Sequence, residues 1–153
     1  MKQGKDLILL LTKYIKMKES ILSRVKVLEL PKFLDHRGNL SLIEEEKHIP
    51  FKIKRTYWIY DVPGGQIRGG HAYYDLQEFI IALSGSFDVV LSDGFEKRVI
   101  SLNRSYFGVL VPKMVWRSLE NFSTNALCLI LASEEYNEND YIRDIEEYKK
   151  LEK

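Results

Sequence analysis

Between Val25 and Ala132 the chain is cut into short apolar runs with turn residues between them. Leu40-Ser41-Leu42-Ile43-Glu44 alternates as a strand does. Lys52 to Asp61 would set Arg55, Tyr57 and Ile59 on one face and Thr56, Trp58 and Tyr60 on the other. Val62-Pro63-Gly64-Gly65 ends that strand. Phe79 to Leu83 reads as a buried strand turned by Ser84-Gly85-Ser86. Phe87 to Leu91 and Arg98 to Leu102 read as a hairpin around Asp93-Gly94. Tyr106 to Val111 and Ala126 to Ala132 add further strands. Many short strands at close spacing predict one mainly β domain, a barrel or jelly roll.

The two ends differ from this middle. Residues 5–25 carry an apolar stripe at helical spacing, through Leu7, Leu10, Leu11, Tyr14 and Ile15 and on to Ile21, Leu22 and Val25. The expected division is a helical extension over residues 1–24 and a β domain over 25–153. The helix would dock on its own domain or a partner subunit; its lysines also suit an anionic membrane surface. After Ser133 the chain turns acidic and helical, predicting a short C-terminal helix. The longest early apolar run, Leu7 to Leu11, is too short for a signal peptide or for the ~20 apolar residues of a membrane span. A net charge of +1 gives no bulk attraction to nucleic acid. The single cysteine, Cys128, sits in an apolar run, which suits a buried thiol in a reducing, cytoplasmic setting. Nine tyrosines suit a pocket that stacks rings.

The residues that carry chemistry begin at Arg68-Gly69-Gly70-His71-Ala72-Tyr73. His71-x-Tyr73-x4-Glu78-x6-Gly85 resembles the first signature of the cupin barrels, with tyrosine for the second histidine. Pro112-x-Met114-x2-Arg117-x3-Asn121 resembles the second signature, with arginine for its histidine. A metal-binding cupin would use the positions of His71, Tyr73, Glu78 and Arg117. Arginine has no lone pair to give, and a neutral phenol is a poor ligand. The expectation is a barrel pocket with no metal and no cofactor.

From about Lys32 to Lys150 the chain also resembles the sugar-nucleotide 3,4-ketoisomerases, grouped as WxcM-like cupins. The stretches that carry this are Asp35-x-Arg37-Gly38, Ile49-Pro50-Phe51-x-Ile53-Lys54-Arg55, Arg68-Gly69-x-His71-Ala72, Ala82-Leu83-Ser84-Gly85-Ser86, Val111-Pro112-x3-Trp116 and Asp140-Tyr141-Ile142-Arg143. The resemblance implies a homodimer with an exchanged N-terminal strand. It implies action on a dTDP-linked 4-keto-6-deoxy sugar, moving the ketone from carbon 4 to carbon 3. The product would feed amino-sugar synthesis for surface polysaccharide such as O-antigen. The family carries His-Ala-His where this chain has His71-Ala72-Tyr73.

Ketone migration needs a base that titrates near neutrality, and histidine does so without large tuning. His71 is therefore the candidate base. Tyr73, two residues on, would face the same interior and either carries a proton or fills the space of the family's histidine. Tyr57 is a second candidate acid, or a core tyrosine. The resemblance makes Arg68 a pyrophosphate ligand, against a surface ion pair; Arg37 either does the same or clamps its own loop. Arg117 either binds sugar oxygens or pairs with Glu78, itself at a former ligand position. Trp116 either stacks on a base or sugar or belongs to the core. His36 and His48 read as surface residues. A 3,5-epimerase-like reaction on the same substrate, or binding without turnover, are the competing functions.

Overall fold

The computed structural model describes residues 4–8, 10, 19–151 and 153. Twelve strands follow one another: β1 (Lys26–Glu29), β2 (Lys32–Asp35), β3 (Gly38–Ser41), β4 (Arg55–Ile59), β5 (Arg68–Tyr73), β6 (Glu78–Ser84), β7 (Phe87–Ser92), β8 (Lys97–Leu102), β9 (Phe107–Val111), β10 (Trp116–Glu120), β11 (Leu127–Ala132) and β12 (Tyr141–Ile142). One sheet runs β1-β9-β6-β11-β4 and the other β12-β5-β10-β7-β8. Every pairing within them is antiparallel. The expected mainly β jelly roll is what forms. It is two facing sheets, and among the described residues they share no strand.

Alternation decides what lies between the sheets. Ile80, Ala82, Val109, Cys128 and Ile130 from the first sheet meet Phe87, Val89, Leu91, Leu102 and Leu119 from the second in one buried cluster. Fully burying each such aliphatic side chain contributes about 1.5–3 kcal/mol. Gly108 allows β9 to lie close to β6, since a Cβ there would come within 2.5 Å of the Ile80 carbonyl oxygen.

Several sequence expectations move. β3 ends at Ser41, so Leu42 to Glu44 continue as irregular chain. β4 occupies only the middle of the expected Lys52–Asp61 strand. Of the N-terminal helix, residues 4–8 and 10 are helical, and residues 11–18 lie outside the described residues. Ile21–Arg24 form a 3-10 turn capped by the Ser20 side chain, and Val25 is already extended. The helix expected after Ser133 begins only at Ile145. A 3-10 turn (Glu138–Asp140) precedes β12, which pairs with β5, and the helix proper is Ile145–Lys150. Asp144 caps it by accepting from the Glu146 and Glu147 amides at 2.7 and 3.0 Å, which stops the helix from starting earlier. Its Tyr148 hydroxyl receives the Trp116 amide and donates to the Met114 carbonyl at 2.7 Å, fixing the helix on the outer face of the second sheet.

β2 and β3 form a hairpin that pairs with neither sheet. Phe33, Leu34 and Leu40 on it are more than half exposed.

Candidate active site

The interior changes character at one end. β6 opens on Glu78, whose carboxylate is 1% exposed, and β10 brings Arg117, 2% exposed, against it. Arg117 Nε donates to Oε2 at 2.8 Å and Nη2 to Oε1 at 2.8 Å, a two-point pairing. Gly69 makes room for it. A Cβ there would lie 2.4 Å from Arg117 Nη1, and the backbone holds φ +83°. The β5–β10 register slips between Arg117, opposite His71, and Ser118, opposite Gly69. Pairing opposite Arg117 sets His71 on the same inward face, and the bulge lies immediately beside that pair.

Three further side chains close the network. Tyr57 donates to Glu78 Oε1. The Tyr73 hydroxyl lies 3.1 Å from Glu78 Oε1 and 2.9 Å from His71 Nε2. Arg117 Nη2 also donates to the Tyr57 oxygen at 3.0 Å. Burial alone would raise the Glu78 pKa, but the charge and hydrogen bonds of Arg117, with Tyr57, hold it below its usual value. Glu78 is thus an ionised acceptor, and both tyrosine hydrogens point to it. The Tyr73 oxygen must then accept from His71 Nε2–H, which leaves the imidazole lone pair on Nδ1.

Burial, and then the Arg117 charge, push the His71 pKa down to about 3, against the opposing pull of Glu78. Burial, and then the Glu78 charge, push both Tyr57 and Tyr73 far above the ordinary phenol range. At neutral pH the site holds a neutral imidazole, two neutral phenols and one closed ion pair. Of the two readings of Arg117, the Glu78 pairing is what forms. Among the described residues no group of three His, Cys, Asp or Glu side chains is placed to hold a metal ion.

The other candidates lie elsewhere. Trp116 precedes Arg117 on the strand and so takes the opposite face, in a cluster with Ala72, Ile142 and Tyr148. Its ring sits 5.3 Å from that of Tyr148, so of the two readings of Trp116 it is the packing one that the fold presents, under the C-terminal helix. Arg68 is exposed at the start of β5, beside a surface cavity of about 430 Å³ that Trp58, Tyr60, Pro63 and Ile67 also line. Arg37 stands at the tip of the β2–β3 hairpin, 79% exposed, and pairs with Asp35 at 2.7 Å; within one chain it clamps its own loop. His48 Nδ1 accepts from the Glu44 amide, and His36 is exposed.

Sequence reasoning missed four residues at the mouth of the network. The Tyr141 ring packs at 5.0 Å from His71 and 4.6 Å from Tyr73. Arg143 covers Tyr141 at 4.2 Å while pairing with Glu138. Arg55 lies over the rings of Tyr57 and Tyr136, at 5.1 and 5.5 Å. The signal for Arg55 was its place two residues before Tyr57, on the same face. Asp140 holds the β5–β6 loop by accepting from the Asp75 and Leu76 amides, and so positions Glu78.

Known proteins resemble this chain in sequence and fold. A TDP-4-oxo-6-deoxy-α-D-glucose 3,4-oxoisomerase from Aneurinibacillus thermoaerophilus is 42% identical over 125 residues, covering 82% of this chain and 90% of that protein. A 3,4-ketoisomerase from Helicobacter canadensis superposes with a TM-score of 0.80 at 44% identity, covering 82% of this chain and 94% of the other. QdtA, a sugar 3,4-ketoisomerase from Thermoanaerobacterium thermosaccharolyticum seen with TDP, superposes at 0.82 with 36% identity, covering 84% and 94%. A histidine-to-asparagine mutant of QdtA is seen with TDP-4-keto-6-deoxyglucose. The RmlC epimerase of Mycobacterium tuberculosis shares the fold at a TM-score of 0.66 but is only 16% identical, over 76% of this chain and 66% of that one. The model of the FdtA family, described as WxcM-like, C-terminal, matches residues 23–153. With that match over most of its length, and with relatives at these identities, the chain belongs to the FdtA (WxcM-like) family.

Proposed function

We propose that this chain is an isomerase that moves the ketone of a TDP-linked 4-keto-6-deoxyhexose from carbon 4 to carbon 3, with no metal. The observation that carries the reading is the buried row His71–Tyr73–Glu78–Arg117, found in a chain 42% identical to a 3,4-oxoisomerase. His71 Nδ1 takes the proton from carbon 3, and electrons flow to the carbonyl at carbon 4 to give an enediol. The imidazolium is stabilised through Nε2–H, Tyr73 and Glu78. Return of a proton to carbon 4 and loss of the hydroxyl proton at carbon 3 complete the shift. Tyr57 and Tyr73, kept neutral by their surroundings, are the proton carriers for the oxygens. The low pKa of His71 keeps its lone pair free. The negative charge of bound pyrophosphate acts in the opposite direction.

Residues 25–153 are the catalytic unit, and residues 1–24 an extension from it. The assembly is a homodimer with an exchanged N-terminal strand. The unpaired β2–β3 hairpin, with its exposed Phe33, Leu34 and Leu40, supports this reading. On the partner's site Arg37 joins Arg68 in holding pyrophosphate. The setting is the cytoplasm, since a sugar nucleotide is the substrate, and the product serves amino-sugar synthesis for surface polysaccharide. No helix among the described residues is long and apolar enough to cross a membrane.

The test is proton NMR with TDP-4-keto-6-deoxyglucose in deuterated water. The expected result is the 3-keto isomer carrying deuterium at carbon 4. Exchange at carbon 3 or 5 without ketone migration would replace this reading with an epimerase-like one. Binding without exchange would leave a non-catalytic sugar-nucleotide binder, the reading that a tyrosine at position 73 favours. Light scattering of the purified protein tests the dimer, and a rate unchanged after EDTA treatment tests independence from metal.

A further inference from the structure

Arg55 faces the same interior as Glu78. It pairs with Ala132 across β4–β11, and Ala132 pairs with Glu78 across β11–β6, so the three share one row and one face. Only the Ala132 methyl separates the two charged side chains within that row. Yet Glu78 is fully occupied by Arg117 and two tyrosines. Arg55 Nε and Nη2 are shielded from solvent and meet no hydrogen-bond acceptor among the described residues. The guanidinium is held in place by the Tyr57 and Tyr136 rings. With Glu78 and Arg117 cancelling each other, Arg55 is an uncompensated positive charge facing the network. Its field contributes to the lowered pKa of His71.

Buried donors without acceptors are costly, and a fold that keeps two on one side chain reserves them for something. Nε and Nη2 form one edge of the guanidinium, and that edge suits two adjacent oxygens. We infer that Arg55 is a catalytic residue whose Nε/Nη2 edge binds the vicinal oxygens on carbons 3 and 4 of the sugar as they become an enediolate. This rests on the ketoisomerase reading above. Arg68, by contrast, is exposed at the rim and suits the pyrophosphate. As His71 removes the carbon 3 proton, negative charge grows on the carbon 4 oxygen, and a fixed guanidinium stabilises it without reorganising.

The experiment compares wild type with Arg55→Met and Arg55→Lys, measuring kcat, TDP affinity by calorimetry and melting temperature. For Arg55→Met the expected result is a loss of about 10²–10³-fold in kcat. TDP affinity should be unchanged and melting unchanged or higher, since a half-buried cation with two unpaired donors is removed. Arg55→Lys, with charge but no fork, should recover only part of the rate. A normal kcat in Arg55→Met overturns the inference. A parallel loss of TDP affinity overturns it in favour of pyrophosphate binding. A fall in melting temperature, or failure of either variant to fold, overturns it in favour of a structural role. If wild type itself fails to convert TDP-4-keto-6-deoxyglucose, the function proposed above falls, and this inference with it. Active wild type beside fully active Arg55→Met removes the inference alone.

Discussion

On β6 both Glu78 and Ile80 point between the sheets; on β10 so do Arg117 and Leu119, and on β4 Tyr57 and Ile59. Two residues along each strand, the same face passes from charged and phenolic to wholly apolar. At the apolar end Phe87 stacks on Phe122 at 5.1 Å, and Val89 and Leu119 are fully buried. The packed cluster there is apolar and contributes stability through buried area. The polar end leaves almost no freedom, because every member needs a partner of fixed geometry. Stability and chemistry thus occupy opposite ends of one scaffold, so substitutions at each end should fail differently.

The largest effect is expected from His71→Asn, which should lower kcat by about 10²–10⁴-fold. TDP binding and melting should stay near wild type; steady-state rates with calorimetry check this, and a near-normal rate would remove His71 as the base. Next comes Arg117→Met, which strands the Glu78 carboxylate and should cost about 3–5 kcal/mol in urea denaturation. The double change Glu78→Leu/Arg117→Met removes both charges and should restore most of that stability while leaving the enzyme inactive. A double variant no more stable than the single one would mean that the pair is not what organises this end. At the other end, Leu119→Ala should cost about 2–5 kcal/mol while the folded fraction keeps its kcat. A lost kcat there would break the comparison, since the two ends would no longer be separable. Tyr73→Phe removes only one hydroxyl, and should slow turnover by about 10-fold or more with little change in melting. A rate near wild type would move the proton to Tyr57 or to water.

A separate effect is a slope with pH. The folded pKa of His71, about 3, lies below the ordinary histidine value of 6.5, so the unfolded chain binds the proton first as pH falls. The contribution of this residue to stability is complete above about 6.5 and is lost progressively toward about 3. The stability lost between pH 7 and 4 should therefore be smaller in His71→Asn. Equal losses in the two proteins would show that His71 is not desolvated.

Local pattern made the strands and most of the polar end legible. His71 and Tyr73 two apart, and Tyr57 on an alternating strand, are period-2 facts that need no partner strand. Trp116 stayed open between stacking and core, because only the pairing of β10 fixes which face it takes. Arg55 was legible only as a same-face neighbour of Tyr57, because its place beside Glu78 lies in a row that crosses three strands and depends on register. Tyr141 was not legible, because its acidic surroundings read as helix until Asp144 is seen to cap a later one and β5 to offer an open edge. The β5–β10 bulge beside His71 is a product of pairing and leaves only the adjacent Gly69 and Gly70 as its trace.

The positive charge beside Glu78 is part of the chain. Where a barrel of this kind balances such a carboxylate with a bound ion, the balance depends on supply and can be stripped by a chelator. A guanidinium on β10 has an effective concentration set only by the fold, and it neither dissociates nor loses its proton at any pH at which the protein survives. The charge balance between Glu78 and Arg117 is therefore inherited with the sequence and assembled at the moment of folding.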